Sequence, residues 1–84
     1  MNPIIKQWDT AKSLIKDYQY KEALAIYEAL YQKVETELSD NFDKAMFFGD
    51  YFGALADVAQ YDKAEAMAAK AFHYKAEGDK YDVL

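Results

Sequence analysis

The chain has 84 residues, no cysteine, and a net charge of −5 that includes ten lysines and not one arginine. That length holds one domain, and without thiols neither a disulfide framework nor a thiolate metal site is open to it. The missing guanidinium forks and the acidic balance speak against nucleic acid and anionic membrane surfaces as partners. Stability must come from packing, and 52% of the residues are apolar and 17% aromatic, with eight tyrosines and five phenylalanines. Large rings bury much area per residue ordered. No apolar run approaches the roughly 20 residues that span a bilayer, and the first six residues hold no signal-peptide core. The sequence therefore reads as a cytoplasmic protein.

The spacing predicts a first helix over residues 3–18. Asn2 suits its N-cap and Pro3 its first turn, where a missing N–H costs nothing. Ile4, Trp8, Ala11, Ile15 and Tyr18 recur along one stripe. After a short turn, a second helix over 21–38 carries Ala23, Tyr27, Leu30, Val34 and Leu38 on one face. Ser39, Asp40 and Asn41 break the pattern, and Asp40 is placed to cap a third helix over 42–60. That helix holds Phe42, Phe47, Phe48, Tyr51, Phe52, Leu55 and Val58, apolar around much of its circumference as befits a central helix. Asp62 and Glu65 make a capping-box-like start to a fourth helix over 63–77, rich in alanine. Gly78 is placed to end it in a left-handed cap. The remaining residues either fray or fold back through Tyr81, Val83 and Leu84. The expected fold class is all-α, with helix pairs at 3–38 and 42–77 and a tail at 78–84 in one domain.

One phrase occurs twice. Gln19-Tyr20-Lys21-Glu22-Ala23-Leu24-Ala25 returns 41 residues later as Gln60-Tyr61-Asp62-Lys63-Ala64-Glu65-Ala66. The same offset pairs Leu14 with Leu55 and Asp9 with Asp50. Such a period marks helical repeats, in which each unit hides its apolar face on the next. The run from Tyr20 through Ala23 and Tyr27 to Leu30 resembles the second helix of a tetratricopeptide repeat, whose signature includes A-x3-F. Tyr61, Ala64, Ala68 and Ala71 resemble it again, with Ala68 in the aromatic place. Ala11 and Leu14 take the family's small and aromatic positions in the first unit. Phe48, Tyr51, Phe52 and Leu55 match the second, with Phe52 bulky where the family prefers Gly or Ala. The match is degenerate and about two repeats long. Its period exceeds the family's roughly 34 residues, and longer second and third helices would absorb the difference.

The resemblance implies antiparallel helix pairs, stacked with a right-handed twist around a groove that holds a peptide or a partner helix. Mapped onto this chain, the groove takes Ile5, Trp8, Lys12, Ile15 and Lys16 from the first unit. The second unit gives Met46, Gly49, Gly53, Ala56 and Asp57. The family's carboxylate-gripping version uses Asn with several basic groups. Here Lys12 and Lys16 have no such Asn and Asp57 opposes them, so that clamp is not expected.

Several residues suit two roles. Trp8 is either a groove anchor, as Trp often is at interfaces, or a ring in the seam between the first two helices. Lys12 and Lys16 either grip an acidic segment or form a solvated face, with Asp9 beside Lys12. Gly49 and Gly53 each cost about 1 kcal/mol against alanine in a helix. Close packing of another backbone, from within the fold or from a second copy, would offset that, as would a ligand across the bare patch. His73 is the only histidine, too few for a His-rich metal site, and Asp40, Asp43, Asp79 and Asp82 lack the spacing of a calcium loop. No nucleophile–base pair or phosphate loop stands out, so neither a catalytic residue nor a cofactor is expected.

The leading expectation is a non-catalytic protein–protein interaction module. The alternative is a structural homodimer, or a piece of a longer repeat array, because two repeats are fewer than the three or so that bury a stacked core. Met67, Ala71, Phe72 and Tyr74 on the fourth helix would then form the self-association face.

Overall fold

The computed structural model describes residues 2–82, and side chains as far as residue 80. Its four helices are α1 (Pro3–Lys16), α2 (Tyr20–Glu37), α3 (Asn41–Asp57) and α4 (Tyr61–Asp82), joined by short turns. Helix α1 pairs with α2 and α3 with α4; α2 also packs on α3, while α1 meets α3 over a narrow front. The molecule measures 41 × 31 × 20 Å. Among the described residues, no helix is long and apolar enough to cross a membrane.

Local chemistry sets the boundaries. The Asn2 side chain accepts from the Ile4 amide at 2.8 Å, and Asp40 accepts from the amides of Phe42 at 2.8 Å and Asp43 at 3.2 Å. These bonds satisfy donors that the first turns of α1 and α3 leave orphaned. Both helices end in the same closure. Tyr18 and Gln19 donate back to Ile15 and Leu14 at 3.0 and 2.9 Å, and Ala59 and Gln60 donate to Ala56 and Leu55 at the same two distances. The residue at each closure is left-handed, Tyr18 at φ 61° and Ala59 at φ 62°. The 41-residue echo of the sequence is thus present in these turn bonds. The closure also explains why α1 and α3 stop short of the expected Tyr18 and Gln60, since a left-handed residue cannot continue the helix.

Gly78 does not end α4, which continues to Asp82. The glycine is buried, and a Cβ there would lie 3.1 Å from the Phe42 ring of α3. It provides room for that ring. Of the expected tail, residues 79–82 are helical, while Val83 and Leu84 lie outside the described residues.

Inward faces meet in an aromatic core. Phe47 stands edge-on to Trp8 at 5.6 Å and to Tyr27 at 5.5 Å, and Tyr27 stacks on Tyr51 at 5.2 Å. Such pairs add about 0.5–1.5 kcal/mol each beyond the area buried. Outside the core, α2 and α4 are laced by two rungs. Glu28 accepts from Lys63 and from the Tyr51 hydroxyl, the latter at 2.6 Å. Glu35 accepts from Lys70 at 2.7 Å and from Tyr74 at 2.8 Å. The rungs are seven residues apart on both helices, so α2 and α4 run in the same direction.

Candidate functional site

Helix α3 is apolar on more sides than its own core requires. Phe47, Phe48, Tyr51, Ala54 and Leu55 face inward. A second stripe of Phe42, Ala45, Met46, Gly49 and Phe52 follows helical spacing on another side. Ala68, Ala71, Phe72 and Lys75 of α4 form the opposite wall at the same spacing, and the two enclose a groove of about 500 Å³. Among the described residues, Lys75 is its only charged one. Phe72 is 74% exposed and Met46 57%. Phe42, seated on Gly78, forms part of the lining.

On its other side, α3 borders a second hollow of about 350 Å³ toward α1. Lys12, Ile15, Lys16, Gly49, Gly53 and Asp57 line it together with Tyr27, Asp50 and Ala54. Its charges are mixed. Lys12 pairs with Asp9 at 3.5 Å and lies 5.2 Å over the Trp8 ring. The Tyr20 hydroxyl is raised above its ordinary pKa by desolvation and by the Asp57 carboxylate.

Six of the ten expected groove residues therefore share one hollow, and Ala56 is not part of its lining. Trp8 does not join them. It is 4% exposed, inserted toward α3, and its Nε1–H donates to Asp50 Oδ2 at 2.9 Å. A ring so enclosed offers no surface to a partner, and its seam reaches α3 as well as α2. Ile5 is half-buried against the core, and Met46 turns to the α4 side of α3. Of the four expected self-association residues, Met67 is buried at 6% exposure. Tyr74 stacks on Phe48 at 5.8 Å and is tied to Glu35. Met67 is internal and Tyr74 is partly buried and held by these contacts, whereas Ala71 and Phe72 line the apolar groove. Gly49 and Gly53 have nothing within 4 Å of where a Cβ would stand. No backbone within the fold packs on them, and Gly49 borders both hollows.

Sequence reasoning missed Phe42, Ala45, Phe52, Ala68 and Lys75 as site residues. Their spacing was visible, but in a helix apolar on several sides it does not say which stripe is core.

The surrounding ionisable groups serve structure. Hydrogen bonds from Lys63 and Tyr51 hold the Glu28 carboxyl below the ordinary range. Burial pushes Glu35 upward, but the bonds from Lys70 and Tyr74 outweigh it and leave Glu35 lowered too. Burial, and then the carboxylate partner, pushes the Tyr51 and Tyr74 hydroxyls up to about 12. His73 stands edge-on to Tyr74 at 5.0 Å. Among the described residues, no group of three or more His, Asp or Glu side chains converges to hold a metal ion.

Compared with protein-family models, with curated proteins and with solved structures, the chain gives no match.

Proposed function

We propose that this chain is a non-catalytic protein–protein interaction module, built like a short tetratricopeptide array and working in the cytoplasm, which captures a partner helix in the α3/α4 groove. One observation carries the reading. Of the six large hydrophobic residues exposed among the described ones, Phe42, Met46, Phe52 and Phe72 converge on that groove. An apolar patch gathered into a cleft marks an interaction site, where scattered apolar residues would not.

The chemistry of capture is burial. An apolar helix face laid in the groove removes its own surface and these side chains from water, at about 25 cal/mol per Å². The α1/α3 hollow is less suited, because Lys12 and Lys16 share it with Asp50 and Asp57 and local charge is largely self-neutralised.

Selection from a displayed library of amphipathic helices tests the reading. Helices enriched on the wild-type chain are expected to be lost on a Phe72→Glu chain whose helical signal is intact. Enrichment that ignores Phe72→Glu would remove the groove from the account.

A further inference from the structure

The internal repeat says what covers the groove. Forty-one residues before Ala45, Met46, Gly49 and Phe52 stand Ile4, Ile5, Trp8 and Ala11, and the same step leads from Ala68 and Ala71 back to Tyr27 and Leu30. The groove of the second unit is thus the counterpart of the surface that the first unit presents to α3. There the seat is filled: Trp8 and Tyr27 pack on Phe47, and Tyr27 stacks on Tyr51.

The two seats differ in depth. Three large side chains of the first, Trp8, Tyr27 and Leu30, have become Gly49, Ala68 and Ala71 in the second, against one change the other way, Ala11 to Phe52. Whatever fills the second seat must itself bring the bulk that the walls have lost. The partners of α4 differ as well. Glu28 and Glu35, which tie α4 to α2, correspond to Ala69 and Ala76, both exposed. Neither acidic position that ties α2 to α4 recurs on α4.

From these differences we infer that the groove's occupant is a single helix of another protein, carrying large apolar side chains in the pattern that α3 shows its own seat, Phe47 and Tyr51 at i and i+4. This rests on the reading of the groove as a helix receptor. A second copy of the chain fits poorly. Among the described residues its large exposed apolar side chains outside the groove are Tyr18, in a turn, and Tyr61, at the start of α4. The outer side of α1 is lined by Lys6, Gln7, Thr10 and Ser13. Only its own groove remains, and two hollows placed face to face do not fill each other.

The test uses a fluorescent peptide with the sequence of α3, residues 41–57, in which Phe42, Met46 and Phe52 are each changed to Lys so that one apolar face is left. Titration with the full chain is expected to give saturable one-to-one binding. Phe72→Glu or Ala71→Glu in the chain should weaken it at least tenfold, as should Phe47→Ala with Tyr51→Ala in the peptide. The chain alone should sediment as a monomer. Binding that ignores both chain variants would mean the peptide has taken α3's own seat, and overturns the inference. A peptide that does not bind, while library-selected helices still depend on Phe72, overturns the pattern and leaves the groove reading standing. A dimer that Phe72→Glu dissociates makes the occupant a second copy and overturns it as well.

Discussion

The three glycines of the chain do different work, though each lies in a helix. Gly49 and Gly53 face open space, so a methyl group there meets nothing, and alanine should stabilise the fold by about 1 kcal/mol at each position. Gly78 makes room for the Phe42 ring, whose atoms lie 3.1–3.2 Å from its would-be Cβ. Gly78→Ala therefore gains the same propensity but must displace the ring. Urea midpoints of the single variants are expected to rise clearly for Gly49→Ala and less for Gly78→Ala. Equal gains would mean that Phe42 does not rest on Gly78. Because Gly49 borders the groove, its alanine variant should also weaken helix capture while it stabilises the fold. A purely structural glycine would not separate the two effects. Trp8 carries the complementary lesson. A lone Trp at helical spacing is equally readable as anchor or core from sequence, and only its neighbours Phe47 and Asp50, far along the chain, decide for core.

At the scale of the helices, the periodicity of α1 and α2 was enough to locate them, and Asn2 and Asp40 cap as their residue types imply. Two ends were not legible. Tyr18 and Ala59 close their turns left-handed without glycine, so the usual composition signal is missing. The end of α4 was misplaced because Gly78 looks like a cap locally and serves a ring more than thirty positions away. The α2–α4 rungs were not legible either, since Glu28 and Glu35 look like solvent-facing residues until α4 is docked. They give the fold a defined pH response. Glu28 and Glu35 are held below their ordinary 4.5, so the unfolded chain binds more protons than the folded one as pH falls through that region. Stability is therefore fully present above it and lost below. Tyr51 and Tyr74 are raised from 10.0 to about 12. The unfolded chain then loses those protons first, and stability falls again as pH rises above 10. Thermal unfolding should show a plateau between these limits. The double variant Glu28→Gln with Glu35→Gln should lower the plateau and flatten its acid side. An acid side unchanged in slope would mean that the rungs are not made in solution.

For the whole molecule, the repeat supplied the fold class and the order of helix pairs, and the turn bonds carry its period. The site was half legible. Lys12, Ile15, Lys16, Gly49, Gly53 and Asp57 do share a hollow, with Tyr27 of α2 also in its lining. The deeper apolar groove lies between α3 and α4 instead, drawn from residues assigned to two separate surfaces, Met46 and Gly49 to one and Ala71 and Phe72 to the other. The reason is architectural. The outward side of α1 is polar, whereas α3 and α4 leave an apolar cleft between them.

The most direct measurement is a chemical-shift map of the full chain titrated with a helix selected on it, following the methyl groups of Met46, Ala68 and Ala71. The account expects the perturbed signals to cluster on these three and on the rings of Phe42, Phe52 and Phe72. Perturbations gathered instead around Lys12, Ile15, Lys16 and Asp57 would contradict it and move recognition to the α1/α3 hollow.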